Sequence, residues 1–208
     1  MPDQRSDTLE ARALTLLGQA GMLRLAEFME RGVPQEIVAR LVESGEVLRI
    51  ARGLYQAADA LPEAGHDLAI IAKLVPHGRI CLLSALQYHG LTSQLPSEIW
   101  LAIERTARRP RIEDPPLRTV RFSGKYRATG IEWHEIEKVS VPIYGPAKTI
   151  VDCFRYRNKL GTDLAIEALR AGLTKQACTP GEIWKLAREL RALSVIEPYL
   201  LSETFDGA

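Results

Sequence analysis

Two arginines flank a glycine turn near residue 50, in a pattern that suits phosphate binding. The segment reads Arg49-Ile50-Ala51-Arg52-Gly53. Guanidinium groups and exposed backbone N–H groups are frequent donors to phosphate oxygens. We therefore predict that Arg49, Arg52 and Gly53 contact the backbone of a nucleic acid.

Polar residues just before this turn extend the same surface. If the stretch from Pro34 to Gly45 is a helix with its apolar residues inward, Gln35 and Arg40 face solvent. Glutamine can pair with adenine, and arginine can pair with guanine or phosphate. We add both to the predicted DNA-binding set. Residues 1–60 carry seven Lys or Arg against nine Asp or Glu, a net charge of −2, so binding must depend on few arginines.

The elements that would hold these residues follow from apolar spacing and from glycine and proline positions. We predict helices over Thr8–Gln19, Leu23–Arg31 and Pro34–Gly45, followed by a hairpin over Val47–Tyr55. Three helices and a hairpin are the layout of a winged helix-turn-helix. We place this domain at residues 7–58. The same module can instead serve protein interaction.

The remainder predicts a mixed α+β domain at residues 66–205, with a small sheet and a helical C-terminal half. After a linker at residues 57–65, the predicted helices are His66–Val75 and Cys81–His89. The predicted strands are Glu98–Glu104, Leu117–Ser123, Ile131–Ile136 and Val139–Tyr144. The predicted C-terminal helices are Pro146–Leu160, Asp163–Gly172, Pro180–Leu190 and Val195–Thr204.

Catalytic and metal-binding patterns are poorly represented. The chain has no GxGxxG motif, P-loop, HExxH motif or paired-cysteine spacing, so we expect no cofactor and no metal. A triad of Ser84, His89 and Asp152 lacks a GxSxG elbow. A metal-dependent nuclease built on Glu104, Glu132, Glu135 and Lys138 stays open as a lesser alternative. We expect no enzyme.

Composition favours an ordinary globular protein. Hydrophobic residues make up 46% of the 208 residues, charged residues make up 25%, and the net charge is +1. Three cysteines far apart in sequence predict reduced core residues, and Lys148 and Asp152, four apart, predict a surface ion pair. With no apolar leader and no span of membrane length, we expect a cytoplasmic protein.

Three segments resemble a known family. Residues 32–56 read GVPQEIVARLVESGEVLRIARGLYQ, residues 81–103 read CLLSALQYHGLTSQLPSEIWLAI, and residues 145–170 read GPAKTIVDCFRYRNKLGTDLAIEALR. These resemble the AbiEi-type antitoxins of type IV toxin-antitoxin systems, in consistent order from about Leu9 to Leu190. The resemblance implies a winged-helix autorepressor whose second domain counteracts a nucleotidyltransferase-type toxin.

A basic segment in the second domain offers another contact surface. Residues 105–127 carry eight Arg or Lys against two acidic residues, a net charge of +6. Within it, Arg108, Arg109 and Arg111 are predicted as a possible second DNA or toxin contact, the alternative being a solvated loop.

Together these observations predict an antitoxin that represses its own operon and neutralises a cognate toxin. Its expected partners are double-stranded operator DNA and a nucleotidyltransferase-like toxin, with no membrane. The alternative is a stand-alone winged-helix transcriptional regulator whose C-terminal domain senses a ligand or dimerises.

Overall fold

The computed structural model describes residues 4–205, with side chains described for residues 9–203. The chain divides into two compact units. Unit 1 comprises residues 1–76 together with 134–141, and unit 2 comprises residues 77–133 together with 142–208.

Unit 1 has the winged helix-turn-helix architecture that the sequence predicts. The elements are α1 (Gln4–Ala20), β1 (Met22–Arg24), α2 (Leu25–Glu30), α3 (Gln35–Glu43), β2 (Val47–Ala51), β3 (Leu54–Ala57) and α4 (His66–Leu74). Strands β1, β3 and β2 form an antiparallel sheet in that order, with Met22 opposite Gln56 and Val47 opposite Ala57. Phe28, Val38 and Leu41 lie in a core between the helices and this sheet.

The start of the second helix differs from the prediction. Residues Met22–Arg24 form strand β1, and α2 begins only at Leu25. The Glu27 carboxylate accepts the Arg24 backbone N–H at 2.7 Å, which caps the new helix start. A strand of three residues is too short for apolar periodicity to reveal it. Its formation depends on pairing with β3, which lies far along the chain.

Residues 134–141, distant in sequence, complete unit 1. The Glu137 carboxylate accepts the Glu63 backbone N–H at 2.8 Å and the Gln56 amide N–H at 2.8 Å, and lies 2.9 Å from His66 Nδ1. Burial acts to raise the pKa of Glu137, but these hydrogen bonds outweigh it and hold the pKa below its ordinary value. A Cβ added at Gly21 would lie 1.8 Å from the Glu137 carbonyl oxygen, so glycine permits this approach.

Unit 2 is α+β with a helical C-terminal half, as predicted. The elements are β4 (Arg79–Ile80), α5 (Leu82–Tyr88), β5 (Ile99–Glu104), β6 (Leu117–Phe122), α6 (Gly124–Ala128), β7 (Ile131–Ile136), β8 (Val139–Tyr144), α7 (Pro146–Arg155), α8 (Arg157–Leu160), α9 (Thr162–Thr174), α10 (Pro180–Glu189) and α11 (Leu193–Phe205). The sheet has the strand order β6-β5-β4-β8-β7, with β5 parallel to β6 and antiparallel to β4. Strands β7 and β8 carry residues 134–141 at their joined ends.

Helix α7 is the centre of unit 2. Its residues Ile150, Val151 and Phe154 are fully buried, and α5, α9 and α10 pack around it. The three cysteines are buried and free, in agreement with the prediction. The predicted helix over Pro146–Leu160 divides at Tyr156 into α7 and α8, and the short elements β4 and α6 were not predicted.

Candidate nucleic-acid interface

Helix α3 presents the predicted polar residues to solvent. Ile37, Val38 and Leu41 are buried, whereas Gln35 and Arg40 are exposed. Pro34 precedes the first helical turn, where its missing N–H costs nothing. The amphipathic spacing therefore places both predicted contact residues on the outer face of α3.

Arg40 already has a partner in unit 1. Its Nη1 lies 3.1 Å from Glu10 Oε1 on α1, with the Arg40 side chain 53% exposed. An exposed ion pair of this kind contributes little to stability. A phosphate could therefore exchange with Glu10 at low cost, but Arg40 is less available than an unpaired arginine.

The hairpin of β2 and β3 holds the remaining predicted contacts. Arg49 and Arg52 are exposed, and Gly53 sits at the turn with φ of +72°. The Gly53 carbonyl accepts the Leu25 N–H at 3.1 Å, which fixes the turn against the start of α2. Tyr55 packs edge-on to Phe28, with the ring centroids 6.2 Å apart.

Unit 1 is acidic overall, whereas its hairpin carries two arginines. The unit carries nine Lys or Arg against thirteen Asp or Glu, a net charge of −4. Glu27 is paired with Lys73 at 2.7 Å. Within the described part of the chain, Arg49 and Arg52 make no ion pair and no side-chain hydrogen bond. These two guanidinium groups remain available to a phosphate.

The basic segment 105–127 in unit 2 divides into occupied and available arginines. Arg121 donates to the backbone carbonyls of Arg105 and Ala107, so it organises the loop that follows β5. Arg118 lies 3.8 Å from Glu98 and stacks over Trp100. The three predicted contact residues, Arg108, Arg109 and Arg111, are exposed on the loop between β5 and β6.

The predicted surface ion pair of Lys148 and Asp152 is instead completely buried. Both side chains are 0% exposed, and Lys148 Nζ donates to the Asp152 carboxylate. The Lys148 ammonium lies 5.0 Å from the Phe122 ring, 4.0 Å from the Tyr126 ring and 4.4 Å from the Tyr144 ring. The prediction was wrong because β6, α6 and β8 bring three aromatic rings over this face of α7.

This cluster is built for packing and fixed geometry. Burial, followed by the charge of Asp152, raises the pKa of the Tyr126 phenol, which donates to the Asp152 carboxylate. Burial also raises the pKa of Tyr144. The Arg155 guanidinium covers the Tyr126 ring at 4.0 Å and donates to the Leu190 carbonyl at 2.9 Å. The sequence signal for this cluster is the i, i+4 spacing of Lys148 and Asp152 on α7.

The structure does not assemble a catalytic triad from Ser84, His89 and Asp152. The Ser84 hydroxyl accepts the Trp100 N–H at 2.9 Å, and the His89 Nε2 lies 2.9 Å from the Tyr144 carbonyl oxygen. The Asp152 carboxylate is held by Lys148 and Tyr126. These three residues therefore serve separate contacts.

Winged helix-turn-helix modules with exposed polar residues on the third helix and the hairpin are frequent in transcriptional regulators. Residues 12–58 match the family model described as a transcriptional regulator, AbiEi antitoxin. Over residues 12–58, which include α3 and the hairpin, this match confirms the resemblance inferred from sequence. The matched family is one of antitoxin transcriptional regulators rather than enzymes.

A solved structure extends the likeness to the fold of most of the chain. The crystal structure of the RV2827C protein from Mycobacterium tuberculosis is similar over 94% of this chain and 77% of its own, with a TM-score of 0.61 and 14% identity. At this identity the likeness shows a shared fold. A search of curated proteins gave no significant match. Among the described helices, none has the length and apolar character to cross a membrane.

Proposed function

We propose that this protein is the antitoxin of a type IV toxin-antitoxin system and represses its own operon. The observation that carries the proposal is the family match over residues 12–58, which spans the exposed residues of α3 and the hairpin. The predicted contacts are Gln35, Arg40, Arg49, Arg52 and Gly53. In this scheme α3 enters the major groove and the hairpin grips the adjacent phosphates.

The hairpin arginines should dominate this binding. Unit 1 is acidic overall, so non-specific attraction to DNA has to come from a local patch. Arg40 is paired with Glu10, whereas Arg49 and Arg52 are exposed with no described partner. We rank Arg49 and Arg52 first for phosphate contact.

The test is fluorescence anisotropy with the DNA upstream of the gene, against scrambled DNA, over a series of salt concentrations. Arg49→Ala/Arg52→Ala should weaken binding at least tenfold and reduce the salt slope by about two, one for each lost phosphate contact. The matched control, Lys185→Ala/Arg188→Ala, removes the same charge from exposed residues of α10 and should leave binding unchanged. Equal affinity for operator and scrambled DNA would refute autorepression.

Unit 2 supplies protection against a nucleotidyltransferase-like toxin in this proposal, without catalysis of its own. The exposed loop residues Arg108, Arg109 and Arg111 offer a charged surface for the toxin or for DNA. Serine substitution of all three separates these roles. If the variant no longer rescues growth during toxin expression but still binds the operator, the loop acts in protection. If it still rescues growth but binds the operator more weakly, the loop contacts DNA.

A further inference from the structure

Two arginines of unit 2 converge on neighbouring backbone carbonyls. Arg79 Nη1 donates to the Gly78 carbonyl at 2.6 Å, and Arg127 Nη2 donates to the His77 carbonyl. Burial lowers the pKa of Arg79, and the positive charge of Arg127 lowers it further. Two guanidinium groups are thus held close together, although like charges repel.

The position of Arg127 is fixed by the aromatic cluster around Lys148. The Tyr144 hydroxyl donates to the Arg127 backbone carbonyl at 2.8 Å, and Tyr144 is itself fully buried. The Arg127 side chain is 20% exposed. Its Nε is buried and meets no hydrogen-bond acceptor among the described residues. A buried donor without an acceptor is costly unless a ligand or water satisfies it.

An exposed aromatic ring adjoins the arginine pair. The Arg79 guanidinium lies 5.5 Å from the centroid of the Trp133 ring. Arg79 is on β4 and Trp133 is on β7, and β8 lies between these two strands in the sheet. Trp133 is 61% exposed, unusual for a large apolar residue. Glu104 Oε2, 3.8 Å from Arg127 Nη1, supplies partial charge compensation from an exposed side chain.

These features match the chemistry of a nucleotide. Guanidinium groups recognise phosphate through several parallel N–H donors, and exposed aromatic rings stack on bases of any sequence. We propose that Arg79 and Arg127 bind the phosphate group of a nucleotide whose base stacks on Trp133. This site goes beyond the proposed operator surface, since its residues belong to unit 2.

Isothermal titration of the full-length protein with AMP, inorganic phosphate and adenosine tests the proposal. AMP should bind more tightly than either component. Trp133→Ala should reduce the AMP affinity to that of phosphate, and Arg127→Gln should weaken AMP binding at least tenfold. Glu104→Gln should strengthen binding, because the phosphate no longer competes with a carboxylate.

The matched control is Arg118→Gln, which removes an arginine stacked 4.5 Å from the centroid of Trp100 on the same sheet. It should leave AMP binding unchanged, as should Arg49→Ala/Arg52→Ala, so failure here is distinguishable from failure of operator binding. Trp133 and Glu104 are surface residues, so their variants remain informative if Arg127→Gln does not fold. Absence of AMP binding, or binding indifferent to both Trp133→Ala and Glu104→Gln, would overturn the proposal.

Short oligonucleotides separate the two sources of such a ligand. A 5′-phosphorylated trinucleotide that binds more tightly than AMP, and loses this advantage without its phosphate, assigns the site to the end of a nucleic-acid strand. AMP binding at least as tight as that of the trinucleotide assigns it to a free nucleotide.

Discussion

The charged atoms of Lys148 and Asp152 lie where water does not reach them, so each depends on the other. Burial lowers the pKa of Lys148 and raises the pKa of Asp152, which means that both charges are held against a desolvation cost. Removing one partner leaves an uncompensated buried charge, whereas replacing both with apolar residues removes the charges but leaves the Tyr126 phenol without its acceptor.

We expect Lys148→Met alone to destabilise unit 2 by about 3–5 kcal/mol, because Asp152 loses its counter-charge. The triple variant Lys148→Met/Asp152→Leu/Tyr126→Phe, which also removes the phenol that donates to Asp152, should recover most of this loss. Urea unfolding followed by tryptophan fluorescence measures the effect, since Trp100, Trp133 and Trp184 all lie in unit 2. A triple variant no more stable than Lys148→Met alone would show that the ion pair itself, rather than charge compensation, stabilises the fold.

At the scale of elements, the tip of the β7–β8 hairpin, residues 134–141, lies against a glycine elsewhere in unit 1. Gly21 has a φ of +69°, and a Cβ there would meet the Glu137 backbone. Gly45 has a similar φ of +81° but has open space around it. The two positions separate backbone strain from steric exclusion.

Gly45→Ala should lower the free energy of unfolding of unit 1 by about 1–2 kcal/mol, because alanine is strained in the left-handed backbone conformation. Gly21→Ala should cost at least about 2 kcal/mol more, since the tip has to shift or leave its hydrogen bonds with Gln56, Glu63 and His66. Amide hydrogen exchange in α1 and β3 reports this loss directly. Equal effects of the two substitutions would mean that the tip is not held at Gly21.

Long, periodic elements could be predicted from sequence, and elements defined by distant partners could not. Helix α3 and strand β7 follow from local spacing. Strand β1, and the contacts that residues 134–141 make with the rest of unit 1, depend on residues far along the chain, which no local pattern encodes. The site divides in the same way. The exposure of Arg49 and Arg52 follows from the hairpin, but the convergence of Arg79, Arg127 and Trp133 requires the assembled sheet.

At the scale of the whole molecule, the winged-helix unit is not a contiguous stretch of chain. A fragment of residues 1–76 would lack the Glu137 carboxylate that Gln56, Glu63 and His66 contact. We expect this fragment to unfold at lower urea concentration than unit 1 does in the intact protein. Amide hydrogen exchange of residues 1–76, followed at increasing urea concentrations in the fragment and in the full chain, provides the comparison. Equal protection in both would show that the tip adds no stability.

The discontinuity of unit 1 also governs when the unit can form during synthesis. Residues 1–76 leave the ribosome well before residues 134–141, and at about 5–20 residues per second the interval is roughly 3–12 s. Throughout that interval the nascent chain holds α3 and the hairpin without the tip that completes them. The winged helix therefore reaches its final form only after translation has passed residue 141.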